Sequence, residues 1–338
     1  MKWLIWSIAL IAIAVSGCGG KKIPDVSGVT VELQLQRFDQ DFFTLDTNRI
    51  DESLQKLHAK YPGFLRDFIY NILALPPQPD STDAVQRSIT SFLHSYQPLK
   101  DSSDKLFSNM GDIYSQVKRG LQLVKYYFPG YKLPDRLITF IGPMDSYGNI
   151  LTPNALAVGL QLYMGSNYSL YQSTAGQELY PAYISRRFKK EYIQVNCMKT
   201  IVDDMFPDNS AGRPLIEQMV QAGKRLYMLD QFMPEAEDTL KTGYTQKQLE
   251  GCYKNEESIW SYLVQNDLLF VSDPSVVKDY MNDAPKTQAF GDESPGFIGQ
   301  FVGWQIVKKW MGKNENVGLK ELMETSPKTI FDQAKYKP

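Results

Sequence analysis

Apolar residues recur along the chain with a period that changes from segment to segment, and each change marks an element boundary. Leu4 to Val15 is an almost unbroken apolar run behind Lys2, shorter than the ~20 residues that a membrane-crossing helix requires. From Val29 to Phe38 the pattern alternates through Val31, Leu33 and Leu35, which predicts a half-buried strand ended by Arg37-Phe38-Asp39. Asp41-Phe42-Phe43 and the stretch from Ile50 to Leu75 switch to helical spacing, interrupted at Pro62-Gly63, with Phe64, Phe68 and Ile72 sharing one face. His58 sits on the helix before that interruption, as a surface or packing residue. Three prolines between Leu75 and Asp80 remove donors and fix the backbone, so this stretch reads as a rigid connector. Helix resumes from Ser81 to His94, and a longer helical run follows from Asp104 to Phe128, stopped by Pro129-Gly130.

Two apolar strands are expected next, Leu137 to Ile141 and Ala155 to Leu160, joined as a hairpin through Gly142-Pro143 and Tyr147-Gly148-Asn149. A tyrosine-rich loop with Tyr168, Tyr171, Tyr180 and Tyr183 follows, suited either to a binding lip or to packing against helices. Helices dominate the remainder. Ile193, Cys197, Ile201 and Met205 form one apolar stripe, and Leu215, Met219, Ala222, Leu226 and Leu229 form the next. Thr245 with Gln248 predicts a capping box that opens a helix carrying Leu249, Cys252, Glu256, Ile259 and Leu263 on one face. Ser294-Pro295 is expected to start a helix in which Gly296, Gly299 and Gly303 leave one side open to close approach by another backbone. Ser326-Pro327 begins a last short helix. The fold class is α+β, predominantly helical with a small sheet. Residues 1–17 read as a signal peptide, 18–28 as a tether and 29–338 as a single domain, with 29–130 mainly helical and 131–338 combining sheet and helices.

Composition changes this picture little. The 338 residues are 43% hydrophobic and 22% charged, with 36 basic against 38 acidic side chains, which argues against disorder, a second membrane span or a nucleic-acid surface. Cysteine and histidine are more restrictive. Only His58 and His94 are present, and neither a Cys-x-x-Cys nor a His-x-x-x-His spacing occurs, so no zinc site and no cofactor are expected. Cys197 and Cys252 are read as small buried apolar groups, with a disulfide between them as the alternative.

Val15-Ser16-Gly17-Cys18, at the end of the first apolar run, resembles the lipobox of bacterial lipoproteins. That resemblance implies cleavage before Cys18 and acylation of its thiol and new amine, with Gly19-Gly20-Lys21-Lys22 as a soluble tether. Two or three acyl chains anchor a protein stably where one holds it only marginally. No Asp directly follows Cys18 and no acidic run is present, so the body is expected in the periplasm, on the inner leaflet of the outer membrane. An ordinary secretory signal with an incidental cysteine is the alternative.

Further stretches stand out: Arg37-Phe38-Asp39, Arg186-Arg187-Phe188 with Glu191-Tyr192-Ile193, Asn196-Cys197-Met198-Lys199, Gly223-Lys224-Arg225-Leu226-Tyr227, Gly243-Tyr244-Thr245, and Glu293-Ser294-Pro295-Gly296 through Gly303-Trp304-Gln305-Ile306-Val307. In this order they resemble the gliding-motility lipoprotein GldB family of Bacteroidetes. Phe297 departs from the family pattern, in which a basic residue is expected. The resemblance implies a non-enzymatic envelope lipoprotein, a scaffold or assembly factor whose partners are motility and type IX secretion proteins. The family also looks like a degenerate zinc metallopeptidase of gluzincin type. Lys190-Glu191-Tyr192-Ile193-Gln194 would stand where two histidines one helical turn apart hold zinc, and Gln221 near the third ligand. Only the glutamate remains, so no catalytic residue is assigned. A hydrolase using Glu191 or Glu256 is the first alternative, and a peptide or glycan binder using Tyr168 and Tyr171 is the second.

Overall fold

In the computed structural model, which describes residues 23–75 and 82–338, four short strands form one sheet in the order β1-β2-β4-β3. The signal segment, Cys18 and most of the proline connector lie outside the described residues. Strand β1 (Gln34–Arg37) pairs in parallel with β2 (Arg136–Phe140), β2 pairs in parallel with β4 (Ala155–Gly159), and β3 (Asn149–Leu151) runs antiparallel to β4. The expected hairpin between the two long strands is therefore corrected. Both are apolar on both faces because both faces are covered, and such strands run parallel. The antiparallel turn lies instead between β3 and β4.

The first strand is also shorter than its alternating pattern. Val31 and Leu33 are buried as expected, but their stretch lacks a ladder partner. The Tyr114 hydroxyl donates to the Leu33 carbonyl at 2.8 Å, and Gln122 Nε2 donates to the Val29 carbonyl at 2.9 Å. Side chains thus satisfy acceptors that a neighbouring strand would otherwise have taken.

Each face of the sheet has its own core. Ile138, Phe140, Ala155 and Ala157 point into an aromatic cluster built by α1 (Phe38–Phe43), α2 (Ile50–Lys60), α3 (Phe64–Asp67) with its continuing π turn, and α4 (Thr82–Leu106). There Phe38 meets Phe42, Tyr61, Phe64 and Phe68 with ring centroids 4.8–5.3 Å apart. Helix α4 corrects the expected break between His94 and Asp104, since it runs through Pro98. Leu93 and Leu99, on either side of that proline, are both buried, and this packing holds the helix continuous. The chain breaks afterwards, before α5 (Gly111–Tyr127), where the Asn109 side chain accepts from Gly111 N at 2.8 Å.

On the opposite face Leu137, Leu156 and Val158 join the larger core. Three short helices, α6 (Ser169–Gln172), α7 (Thr174–Leu179) and α8 (Ala182–Ser185), lead to α9 (Tyr192–Met205) and α10 (Leu215–Phe232). Then come α11 (Asp238–Thr242), α12 (Gln246–Lys254), α13 (Glu256–Gln265), α14 (Pro274–Met281), α15 (Ile298–Lys313), α16 (Leu319–Glu324) and α17 (Pro327–Ala334). The capping box of Thr245 and Gln248 is present as expected, and Ser326 caps α17. The helix expected from Ser294-Pro295 starts later, at Ile298, because Phe297 takes a left-handed backbone with φ 55°. Its glycines behave as the spacing implies. A Cβ on Gly303 would stand 1.6 Å from the Met219 carbonyl oxygen, so α10 and α15 touch backbone to backbone. Among the described residues no helix is long and apolar enough to cross a membrane.

Candidate functional site

Val15, Ser16, Gly17 and Cys18 lie outside the described residues. The other residues weighed for chemistry are placed, and most are used structurally. Glu191 is exposed and occupies the N-cap position of α9, with Lys190 outside the helix. Residues 190 and 194 therefore do not form the two-ligand turn of a zinc helix, which must lie inside the helix. Gln221 accepts from the Lys224 ammonium at 3.4 Å. Among the described residues no group of three or more His, Cys, Asp or Glu could hold a metal ion. Glu256 accepts from the Tyr336 hydroxyl and so ties the end of the chain to α13.

Cys197 and Cys252 are both free and buried, so the alternative disulfide is not formed. Burial pushes each thiol up to about 12 and keeps it protonated near neutrality. The tyrosine-rich segment packs inward. Tyr171 is fully buried, donates to the Gln161 carbonyl at 2.5 Å and accepts from Met164 N at 3.1 Å, with Tyr168 and Phe188 against its ring edges. Tyr180 donates to the Met144 carbonyl at 2.9 Å. These backbone acceptors hold two of the four hydroxyls, those of Tyr171 and Tyr180, in place.

Three of the sequence stretches that carry the family resemblance, around Arg187, Gly243 and Phe297, converge from distant parts of the chain. Arg187, just past α8, forms an ion pair with Asp283 and lies against Gly243, where a Cβ would meet its side chain at 3.1 Å. Gly243 has φ 74°, which suits a residue without a Cβ at this close approach. The Thr242 carbonyl before it accepts from Gln300 Nε2 at 2.8 Å, and Tyr244 after it donates to the Phe297 carbonyl at 2.8 Å. Phe297 N donates to the Asn282 carbonyl at 2.8 Å, so Phe297 joins this junction through its backbone. Beside it, Asp230 accepts from Trp304 Nε1 at 2.7 Å and from Lys241 Nζ at 3.0 Å.

A cluster of cations borders this junction. Arg186 and Arg187 are adjacent in the chain, and Lys199 reaches the same place from two turns into α9, with Arg187 in Coulombic range of both. Asp283 is taken by Arg187, and Asp203 is taken by Arg225, which also donates to the Phe206 carbonyl at 2.6 Å. Burial and the Arg187 charge hold Lys199 down at about 8, against the attraction of Asp203 and Asp283. Burial lowers Arg186 as well, again helped by Arg187. The Tyr192 hydroxyl is raised by burial, although both arginines oppose that rise. Arg186, Arg187, Tyr192 and Lys199 all lie in stretches already singled out, yet sequence alone left the pairing of their charges open, because Asp283 and Arg225 come from other elements.

A second buried cation lies elsewhere. Lys224 on α10 donates to the carbonyls of Met323 at 2.9 Å and Thr325 at 2.8 Å, at the end of α16, beside a cavity of about 420 Å³ that Arg213 and Gln221 also line. Burial holds it down at about 8.

Comparison with known proteins gave one family. The model described as gliding motility protein GldB matches residues 19–338. No curated protein and no solved structure gave a significant match, so the gluzincin-like resemblance has no support from known folds, in line with the displaced Lys190 to Gln194 stretch.

Proposed function

Because the chain belongs to the gliding motility protein GldB family over residues 19–338, we propose that it is an envelope lipoprotein, anchored through Cys18, that acts by docking proteins rather than by catalysis. The observation that carries this reading is the extent of the family match, which begins one residue after Cys18 and takes in the whole helical body. Its partners are components of the gliding motility and type IX secretion machinery, and its lipid sits in the inner leaflet of the outer membrane. Attachment by two or three acyl chains would fix the body at a set distance from the bilayer.

Mass spectrometry of proteins crosslinked to the full-length chain in native membranes tests the proposal, with Cys18→Ala as the control. Motility or secretion components should be enriched, and that enrichment should vanish when Cys18→Ala releases the body from the membrane. A chain that stays membrane-bound without Cys18 would overturn the anchor. Crosslinks to no such component under several chemistries would overturn the docking role.

A further inference from the structure

Ile23, the first described residue, stands only five residues after Cys18. Each residue spans at most about 3.6 Å, so this tether reaches no more than about 18 Å, whatever its conformation. A body of this length has a radius of gyration of about 20 Å, so the tether is shorter than the body is wide. The place where the chain leaves the body therefore decides which surface can meet the bilayer. Val29 N donates to the Val26 carbonyl at 2.9 Å, closing a turn, and the Val29 carbonyl accepts from Gln122 on α5 at 2.9 Å. Ile23 precedes that turn by three residues, within about 11 Å of Val26. Arg119, one helical turn before Gln122, pairs at 3.8 Å with Glu235 just past the end of α10, and the Tyr127 hydroxyl donates to Gln231 at 3.5 Å. The exit thus sits where the second half of α5 meets the C-terminal end of α10.

We propose that this surface, with Ile23 and Tyr126 at its centre, lies against the lipid headgroups and fixes how the body faces the membrane. The orientation rests on the Cys18 anchor. Tyr126 comes one helical turn after Gln122 on the same side of α5 and is 50% exposed, and Ile23 is 46% exposed. Two large side chains thus stand open to solvent beside the exit, and a tyrosine ring with its polar tip suits headgroup depth. Lys118 and Lys125 flank Gln122 on this side of the helix, where long stems can lie along lipid while their ammonium groups stay in water. Charges of both signs are present, Lys118, Arg119 and Lys125 with Asp25 and Glu235, so the contact does not depend on an anionic lipid. A competing apolar patch surrounds Phe270, which is 69% exposed with the Phe331 ring 6.3 Å away. Leu215 N donates to the Val271 carbonyl at 2.8 Å, which puts Phe270 at the opposite end of α10. Gln231 is about 24 Å from Leu215 along that helix. In the proposed orientation the Phe270 patch stays in water, open to proteins.

The test uses the full-length lipoprotein, purified from native membranes, reconstituted into phosphatidylcholine vesicles and labelled with bimane at Tyr126→Cys or Phe270→Cys. Both positions are exposed and tolerate the change, while Cys197 and Cys252 are buried and protonated, so the dye goes to the introduced thiol. Flotation of the vesicles checks the anchor in the same samples. With a nitroxide on the lipid headgroups, the dye at Tyr126→Cys should lose fluorescence and the dye at Phe270→Cys should keep it. A sample that floats, but in which the dye at Tyr126→Cys is quenched no more than the dye at Phe270→Cys, overturns the orientation and leaves the anchor standing. A chain that does not float overturns the anchor, and the orientation with it.

Discussion

At the scale of single residues, a buried ion pair between near neighbours is completed by a partner from far along the chain. Asp39 is fully buried, accepts from Arg37 Nε at 3.0 Å and Nη2 at 2.8 Å, and accepts a further bond from the Thr139 hydroxyl. Arg37→Ala would leave that carboxylate buried without its counter-charge, and a loss of about 3–5 kcal/mol is expected in urea denaturation. The double variant Arg37→Met, Asp39→Leu should recover most of the loss, because it removes both charges. The sequence marks Arg37-Phe38-Asp39 as a strand end but could not reveal this role, since Thr139 is 100 residues away. Lys199 and Lys224 make a second prediction. Both are held near 8 in the folded protein, against 10.5 ordinarily, so the unfolded chain binds more protons between those values and stability should rise with pH from about 8 towards 10. Below about 8 both states are protonated and the penalty is complete. Lys224→Met should flatten the rise measured by urea midpoints at pH 7.5, 8.5 and 9.5. A midpoint that falls over this range would contradict the assignment. Glu191→Gln, by contrast, changes an exposed position and should stay within about 0.5 kcal/mol of wild type.

At the scale of elements, glycine spacing carried more information than apolar strands did. Gly303 and Gly223 mark where α10 and α15 cross, and a Cβ on Gly223 would fall 2.1 Å from the Gly303 carbonyl carbon. Gly303→Ala must push the helices apart and open the core around Met219 and Val220, so a loss of about 3 kcal/mol or more, or failure to fold, is expected. Gly251→Ala is the matched control. It lies inside α12 with nothing within 4 Å of the added Cβ, and helix propensity should stabilise the protein there by about 0.5–1 kcal/mol. Circular dichroism melts of the two variants should shift in opposite directions. Strand pairing was less legible. An apolar run such as Ala155 to Gly159 shows that both faces are covered, but not which strand lies beside it. Helix continuity at Pro98 was hidden for a related reason, because the burial of Leu93 and Leu99 that outweighs the proline is tertiary.

At the scale of the whole molecule, the α-rich body with a small sheet was legible from period and composition, while the coupling between its parts was not. Strand β1, from the first third of the chain, pairs in register with β2, and the two sheet faces carry different cores. Helix α5 belongs to the larger core through Val117, Leu121 and Val124, together with Leu137 of β2 and Ile193 of α9. The segments before and after residue 130 therefore share both a sheet and a core, and neither can lose the other without exposing buried apolar surface. One cooperative transition is expected, with calorimetric and van't Hoff enthalpies in agreement. A chain beginning at residue 131 should expose the Ile138, Phe140, Ala155 and Ala157 face, lose sharp melting and bind hydrophobic dyes. Two resolved transitions in the intact protein, or a truncated chain that melts cooperatively, would show that the second segment folds by itself and that the shared sheet is a docking contact between two domains.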